Sequence, residues 1–441
     1  MAKTLAPVAS LLLGIAFLLA GNGLLTTLAP LRAGVEGFSA IQIGLMGSGY
    51  YAGFVIGCIA GPYLILRAGH IRAFTALVAA VSAVVLVHPL IIDPILWVVL
   101  RGVTGFALAG IYLIVESWLN DRATNQNRGF IMSAYIIVNF VTITAGQMLV
   151  TTAPIEAFTL FAIASILVSM AVVPVSMTRS AQPAPIALVQ FRPMHLYRIA
   201  PVGLMGALLI GMANGAFWSL GTVFATARDM SVDEAAVFLS IAVIGGAVMQ
   251  WPVGRLSDLA DRRKVLAGVM AVAATICLLM ALLPLSTTGL MVMSLAFGMS
   301  TLTGYSVAAA HAYDRADKSS YVEMAAGVLL ANGVGSVFGP IIAAALMDTI
   351  GPHMLFVFMA MVQATLIAFI GLRLVVRSPI SSADKEAFDV YSTAPVAGPI
   401  TPNPVSDLDP QMLTPSGLVG PAQAQAQAAA NSDRQRLGDA A

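Results

Sequence analysis

Charge is what this 441-residue chain has least of: Asp, Glu, Lys and Arg make up 10% of it, where soluble globular domains carry about 25%. So few charges cannot cover a water-exposed surface of this size, which excludes an ordinary cytosolic enzyme and a disordered chain. The net charge of +1 provides no field for holding a polyanion, so nucleic acid is not an expected partner. There are two cysteines, Cys58 and Cys277, each inside an apolar run. That excludes a disulfide framework and a paired-cysteine metal site. No P-loop, no H-E-x-x-H and no pair of intramembrane aspartates occurs. Neither a nucleotide-driven pump nor an intramembrane enzyme is supported, and no metal or cofactor is expected.

What is present is apolar sequence. Hydrophobic residues are 59% of the chain and the mean hydropathy is +0.89. A membrane-crossing helix needs about 20 mainly apolar residues. Twelve segments meet that length: 7–30, 40–66, 73–92, 94–118, 129–151, 155–177, 199–226, 235–257, 265–284, 288–311, 322–347 and 353–375. They are too long, and too rich in interior glycine, for the strands of about ten residues that build membrane barrels. The first follows a single Lys3 and has no clear small-residue cleavage site before Gly21-Asn22, so it reads as a retained helix rather than a signal peptide. The fold class expected is an all-α membrane protein with 12 transmembrane helices.

The basic residues test that count independently. With the N-terminus in the cytoplasm, the inner loops carry Arg67, Arg72, Arg122, Arg128, Arg179, Arg192, Arg198, Arg255, Arg262, Arg263, Lys264, Arg315 and Lys318. The outer loops carry Arg32 and Arg228. This is the asymmetry the positive-inside rule requires of a multi-pass inner-membrane protein with both termini cytoplasmic.

The chain also repeats itself. A shift of 192 residues lays Asn22-Gly23 on Asn214-Gly215 and Ser39 on Ser231. One more residue of offset lays Gly105 on Gly298, Tyr112 on Tyr305, Asp121-Arg122 on Asp314-Arg315, Asn139 on Asn332 and Gly146 on Gly339. Each half then holds six helices and enters from the same side, predicting two pseudo-symmetric six-helix bundles. The expected divisions are residues 1–177 for the first bundle, 178–198 for a cytoplasmic linker and 199–376 for the second. Residues 377–441 are rich in Pro, Ala, Ser and Gln without an apolar run, and read as a disordered cytoplasmic tail. Repeat-built transporters bind substrate near mid-membrane where the halves meet, and alternate access by rocking one half on the other.

At the inner end of the eighth span stands Gly254-Arg255-Leu256-Ser257-Asp258-Leu259-Ala260-Asp261-Arg262-Arg263-Lys264. It resembles the loop signature of the major facilitator superfamily, G-x-L-x-D-x-x-G-R-R/K, with Asp261 at the second glycine. The first-half copy keeps Arg67-Ala68-Gly69-His70-Ile71-Arg72, but Leu66 takes the aspartate position and Pro62 the first glycine position. Arg101-Gly102-Val103-Thr104-Gly105 is similar to the family's R-x-x-x-G motif in helix 4. Gly335 to Pro340 looks like its antiporter motif but lies in the other half, so antiport is not inferred. The resemblance covers residues 7–376, and the run Glu116 to Asp121 with Asn127-Arg128-Gly129 looks like a poorly characterised bacterial branch. It implies the family fold, secondary transport without an enzyme activity, and a cavity lined by helices 1, 4, 7 and 10.

The family's loop aspartate is thought to hold the cytoplasmic side closed against a helix start in the opposite half, where negative charge is favoured. By pseudo-symmetry Asp258, in the same loop as Arg262, is expected to face Arg128. Arg67 and Arg72 are expected to face Asp317 and Glu323, giving two latches of reversed polarity. Exposed loop pairs of little energetic weight are the alternative.

Ionisable groups at bilayer depth are functional candidates. Arg101 suits an anionic substrate group, or else braces helix-end carbonyls. Glu116 is a candidate proton carrier, its alternative an interfacial structural carboxylate. His311 reads as a loop-end histidine. Mid-membrane polar residues add Asn22, Asn139, Gln147, Asn214, Trp218, Gln250, Tyr305 and Asn332. The leading substrate contacts are Asn22, Asn214, Tyr112 and Tyr305, with Arg101, Asn139, Trp218 and Asn332 beside them; interhelical glue remains the other reading for the amides. The function expected is alternating-access transport of a small molecule by a self-contained monomer, as efflux of an amphipathic compound or coupled to protons. Uptake or exchange of a small organic anion through Arg101 is the alternative, and a non-transporting sensor or scaffold acting through the tail is another.

Overall fold

Twelve long apolar helices run back and forth through the protein. In the computed structural model the described residues are 8–123, 127–177, 192–317, 320–376 and 388, with Arg128 described by its backbone alone. The helices are α1 (Ala9–Val35), α2 (Ala40–Ala68), α3 (His70–Leu90), α4 (Pro94–Arg122), α5 (Arg128–Met148) and α6 (Phe158–Met170). The second six are α7 (Pro201–Thr226), α8 (Val232–Leu259), α9 (Arg262–Leu282), α10 (Thr287–Tyr313), α11 (Tyr321–Thr349) and α12 (Met354–Val376). A 3₁₀ turn, Leu149–Thr152, prolongs α5, and the short helix Val172–Ser176 prolongs α6. Another short helix, Pro193–Ile199, precedes α7. No strand occurs among the described residues. The expected linker between 178 and 191 and the tail, apart from Phe388, lie outside them.

Helix starts follow the repeat. Ser39 caps α2 by accepting from the Gln42 amide while Gln42 reaches back to the Ser39 amide. Ser231, 192 residues on, caps α8 the same way with Glu234. Each capping box satisfies two of the four amides that a helix start leaves without intrahelical partners. Asp93 caps α4 and Ser286 caps α10. Between α2 and α3 the chain turns within one residue, Gly69 at φ +81°, a conformation that a side chain disfavours.

Packing repeats as well. Within the first six helices α2 lies on α4 and α1 on α5; within the second, α8 lies on α10 and α7 on α11. Inside a bilayer there is little hydrophobic drive between helices, so close contact depends on small residues. Gly105 of α4 sits against the Tyr50 carbonyl of α2, and its repeat partner Gly298 of α10 sits against the Ala242 carbonyl of α8. Gly146 meets Ala20 on α1, while Gly339 meets Met212 on α7. At each position a Cβ would strike backbone, which cannot yield.

The halves meet along α2 with α11 and α7, α5 with α8, and α1 with α7. One face of the molecule carries the α2–α3, α4–α5, α8–α9 and α10–α11 connections, hence the signature loop and most loop arginines; we call it the basic face. Hydrogen bonds between the halves are described toward the opposite face. There Asp348, near the end of α11, accepts from the Ala40 and Ile41 amides at 3.0 and 2.9 Å. Ser240 of α8 donates to Gln147 of α5 at 3.0 Å. Gly44 rests on Pro340, and Gly47 on Ser219.

Candidate functional site

A cavity of about 270 Å³ opens where α1, α2, α4 and α5 face α7, α8, α10 and α11. The first half contributes Asn22, Tyr50, Tyr51, Arg101, Tyr112 and Gln147, and the second Asn214, Trp218, Ser219, Gln250, Asn332 and Ser336. Met46, Phe54, Ile136, Phe140, Val243, Leu302 and Leu329 supply apolar wall. An apolar pocket with a few polar groups is the usual make-up of a small-molecule site.

Arg101 is the one charged residue among these lining residues. It is buried on α4, with its guanidinium carbon 4.7 Å from the centre of the Tyr50 ring. Among the described residues its Nη1 has no hydrogen-bond partner, and no carboxylate pairs with it. The helix-end carbonyls that the bracing alternative requires are therefore not its observed partners. The Tyr50 face offsets part of the burial, by about 0.5–2 kcal/mol, far less than the several kcal/mol an unpaired ion loses on leaving water.

Five carboxamides line the cavity, and the protein has tied three of them. Gln147 accepts from Ser240 at 3.0 Å, Gln250 donates to Ser306, and Asn332 donates to the Ala207 carbonyl at 3.1 Å. Asn22 and Asn214, partners in the repeat, have carbonyl oxygens buried without a hydrogen-bond partner among the described residues. Of the eight residues expected to touch substrate, Asn22, Arg101, Tyr112, Asn214, Trp218 and Asn332 line this cavity. Asn139 does not: its amide nitrogen donates to the Tyr135 carbonyl at 2.7 Å, a bond back along its own helix. Nor does Tyr305, which is 1% exposed in the apolar core of the second half. Tyr50 and Tyr51 are cavity residues that the sequence reading misses. Their signal is two adjacent hydroxyls in the middle of an apolar span.

Glu116 lies on α4, 1% exposed, and neither carboxylate oxygen has a hydrogen-bond partner among the described residues. It is not among the cavity-lining residues. The neighbouring Ser117 hydroxyl is 3.4 Å from His70 Nε2. His311 is also buried, in the last turn of α10.

The signature loop is a knot within the second half. Arg262, 2% exposed, donates from Nε to Asp314 at 2.7 Å and from Nη1 to Ser257 at 2.9 Å. It also pairs with Asp258 at 3.1 Å, so it joins α8, α9 and α10. Asp258 further accepts from the Phe388 amide at 3.1 Å, and the Phe388 ring covers Gly254. The expected contact from Asp258 to Arg128 falls on a side chain outside the described residues. The other expected latch is not formed in this conformer. Glu323 is bound by Arg192 at 2.9 Å, in the segment that leads into α7, while Arg67, Arg72 and Asp317 are exposed. Proximity decides this: Arg192 stands at the start of Pro193–Ile199, a helix that packs beside α11.

Comparison with known proteins places these features. A family model described as Major Facilitator Superfamily matches residues 11–319 and 203–420. A protein of Escherichia fergusonii named Uncharacterized MFS-type transporter YcaD is 29% identical over 359 residues, covering 81% of this chain and 93% of the relative. In fold, the chain is similar to a mutant form of the nucleoside transporter NupG, with a TM-score of 0.70 at 14% identity, covering 83% of this chain and 99% of that one. A bacterial homologue of the human lysosomal transporter Spinster, inward-facing and unoccupied, aligns with a TM-score of 0.62 at 14% identity, covering 83% and 94%. The family model spans both halves and the twelve helices superpose on solved transporters of that fold, so the chain belongs to the Major Facilitator Superfamily: it is a multi-pass membrane transporter of a small molecule, not an enzyme.

Proposed function

We propose that this transporter carries a small organic anion by alternating access, with Arg101 holding the anionic group. The observation that carries this reading is the buried guanidinium in the cavity wall with no carboxylate partner among the described residues. A planar fork of donors suits a carboxylate, and a bound anion supplies the charge the site lacks. The cross-half hydrogen bonds on the face opposite the basic loops support a conformer closed on that face. With the basic loops cytoplasmic, as charge asymmetry requires, both termini are cytoplasmic, that closed face is outer, and the membrane is the bacterial inner membrane.

The test is counterflow of labelled small carboxylates in proteoliposomes holding the full-length protein. A charge-assisted contact of about 2 kcal/mol corresponds to roughly thirtyfold in affinity. Arg101→Ala is therefore expected to lose transport by that order, and Arg101→Lys, which keeps the charge without the fork, to lose less. Carboxylate counterflow unchanged in Arg101→Ala sinks the reading.

A second reading, efflux of an uncharged amphipathic compound, draws on the apolar wall of Met46, Phe54, Ile136, Phe140 and Leu302. Flexible and aromatic side chains repack around varied ligands. Neutral amphiphiles carried equally by the native protein and Arg101→Ala favour it. In either reading Glu116, buried without a partner among the described residues and on the same helix as Arg101, is the proposed proton carrier. Glu116→Gln is expected to abolish acceleration by a proton gradient while sparing counterflow.

A further inference from the structure

Resting on the anion reading, we propose that the substrate is a hydroxylated organic acid with a single negative charge. The inference comes from which polar groups of the cavity the protein leaves unsatisfied. Gln147, Gln250 and Asn332 already hold partners inside the protein. Arg101, Asn22 and Asn214 each keep a buried polar atom without a partner among the described residues, and all three line the same cavity. Buried polar groups are almost always satisfied by protein or by water, so a ligand that displaces the cavity water has one guanidinium and two carboxamides to meet.

The guanidinium calls for one anionic group. The lining includes no Asp, Glu or Lys and no second Arg, so a dianion leaves one charge uncompensated, and an ammonium group finds no counter-charge. Burying either alone is costly. Each carboxamide presents a donor and an acceptor together. A hydroxyl likewise donates and accepts, so it pairs with Asn22 or Asn214 whichever way the amide is turned. The two asparagines stand on α1 and α7, one in each half. A ligand with hydroxyls toward both bridges the halves, which couples its binding to their relative position. A plain fatty acid satisfies Arg101 and leaves both amides unpaired.

The test is binding to the purified full-length protein, by calorimetry or thermal shift, with two matched sets of probes. One set is lactate and propionate; the other is gluconate, hexanoate and the neutral polyol sorbitol. The expected result is that in at least one set the hydroxy acid binds ten times or more tighter than the acid without hydroxyls, while sorbitol does not bind. Asn214→Leu should bring that ratio toward one, and Arg101→Ala should remove binding of every acid. The native comparison stands even where a variant fails to fold. Propionate or hexanoate binding as tightly as its hydroxylated partner, lost in Arg101→Ala, overturns the inference and leaves the anion reading intact. Sorbitol binding as well as gluconate, in both the native protein and Arg101→Ala, overturns both. No binding by any of the five probes overturns the inference, while carboxylate counterflow judges the anion reading on its own.

Discussion

Replacing Asp348 probes what holds the two halves together. The first turn of α2 has four amides that no carbonyl of the same helix can reach. Two are met locally: the Ser39 amide by Gln42 and the Gln42 amide by Ser39, at 2.9 and 3.3 Å. The other two, on Ala40 and Ile41, are met by the two carboxylate oxygens of Asp348. An aspartate from the second half thus completes the start of a helix in the first half, where the helix dipole favours negative charge. Asp348 is exposed, so water takes over these amides once the halves part, which keeps the net effect small. Losing the charge while retaining one acceptor, as in Asp348→Asn, should cost about 1 kcal/mol, the upper part of the exposed helix-dipole range. Losing both acceptors in Asp348→Ala should cost about 2 kcal/mol, two hydrogen bonds at their ordinary net value. These correspond to shifts of roughly fivefold and thirtyfold toward conformers open on this face. Spin labels at the exposed positions Val35 and Ala227, one in each half on the same face, report the separation by pulsed electron resonance. The longer-distance population should grow in the order native, Asn, Ala. Identical distance distributions in all three refute the reasoning.

Three further outcomes follow from the packing and the signature loop. Gly105→Ala and Gly298→Ala each place a methyl against a backbone carbonyl of the neighbouring helix; overpacking of this kind costs about 1–3 kcal/mol. Both should lower the melting temperature in detergent by similar amounts, and an unchanged melting point in either contradicts the repeat-matched contact. Breaking the buried Arg262–Asp314 pair by Asp314→Ala should destabilise by less than the roughly 3–5 kcal/mol that a wholly unpaired buried charge costs, because Asp258 still pairs with Arg262. Arg262→Met with Asp314→Leu should recover most of the loss; a double variant no better than the single contradicts the charge argument. Burial raises the Asp261 carboxyl, but hydrogen bonds from the Arg263 side chain and backbone, and the charge of Arg263, outweigh it and hold Asp261 below the ordinary aspartate range. Its contribution is therefore complete above about pH 4, the unfolded value, and is lost as pH falls through the lower folded value. Thermal scans from pH 5 to 3 should show a smaller loss in Asp261→Asn than in the native protein.

The frame was legible in the sequence because membrane spans are written in long runs and the repeat in offsets. Ser39 and Ser231, Gly105 and Gly298, and Gly146 and Gly339 each occupy equivalent contacts. The cavity was legible in part: a polar residue inside an apolar helix marks depth, and Asn22, Arg101, Asn214 and Trp218 all face the centre. Depth does not give direction, and Asn139 and Tyr305 lie outside the lining of this cavity. Asn139 turns back onto the Tyr135 carbonyl, and Tyr305 packs into apolar core. Loop charges were the least legible. An arginine on a long side chain takes the nearest acid, so Arg192 holds Glu323 and Arg262 holds Asp314. Asp348 has no sequence signal of its own, because its partners are backbone amides of a helix start 307 and 308 residues away.

The repeat also shows where symmetry was given up. Counted 193 residues on, Arg101 corresponds to Ser294, Tyr112 to Tyr305 and Glu116 to Ala309. Ser294 is buried and donates to the Phe238 carbonyl at 2.6 Å, so it offers nothing to a ligand. Tyr305 belongs to the core, and Ala309 has no polar atom in its side chain. Helix α4 therefore concentrates the chemistry that α10 lacks, although both pack on their neighbours through equivalent glycines. The asparagines remain matched: Asn22 and Asn214 present the same amide from both halves. Under the proposed anion reading, a ligand anchored by charge to one half and by hydrogen bonds to both would be carried by α4 and would sense α7 as the halves rock. Conformational change then depends on the amides, and affinity on the guanidinium. Removing Asn214 should accordingly slow exchange between conformers while leaving the binding of an acid without hydroxyls unchanged, and removing Arg101 should remove the binding of every acid.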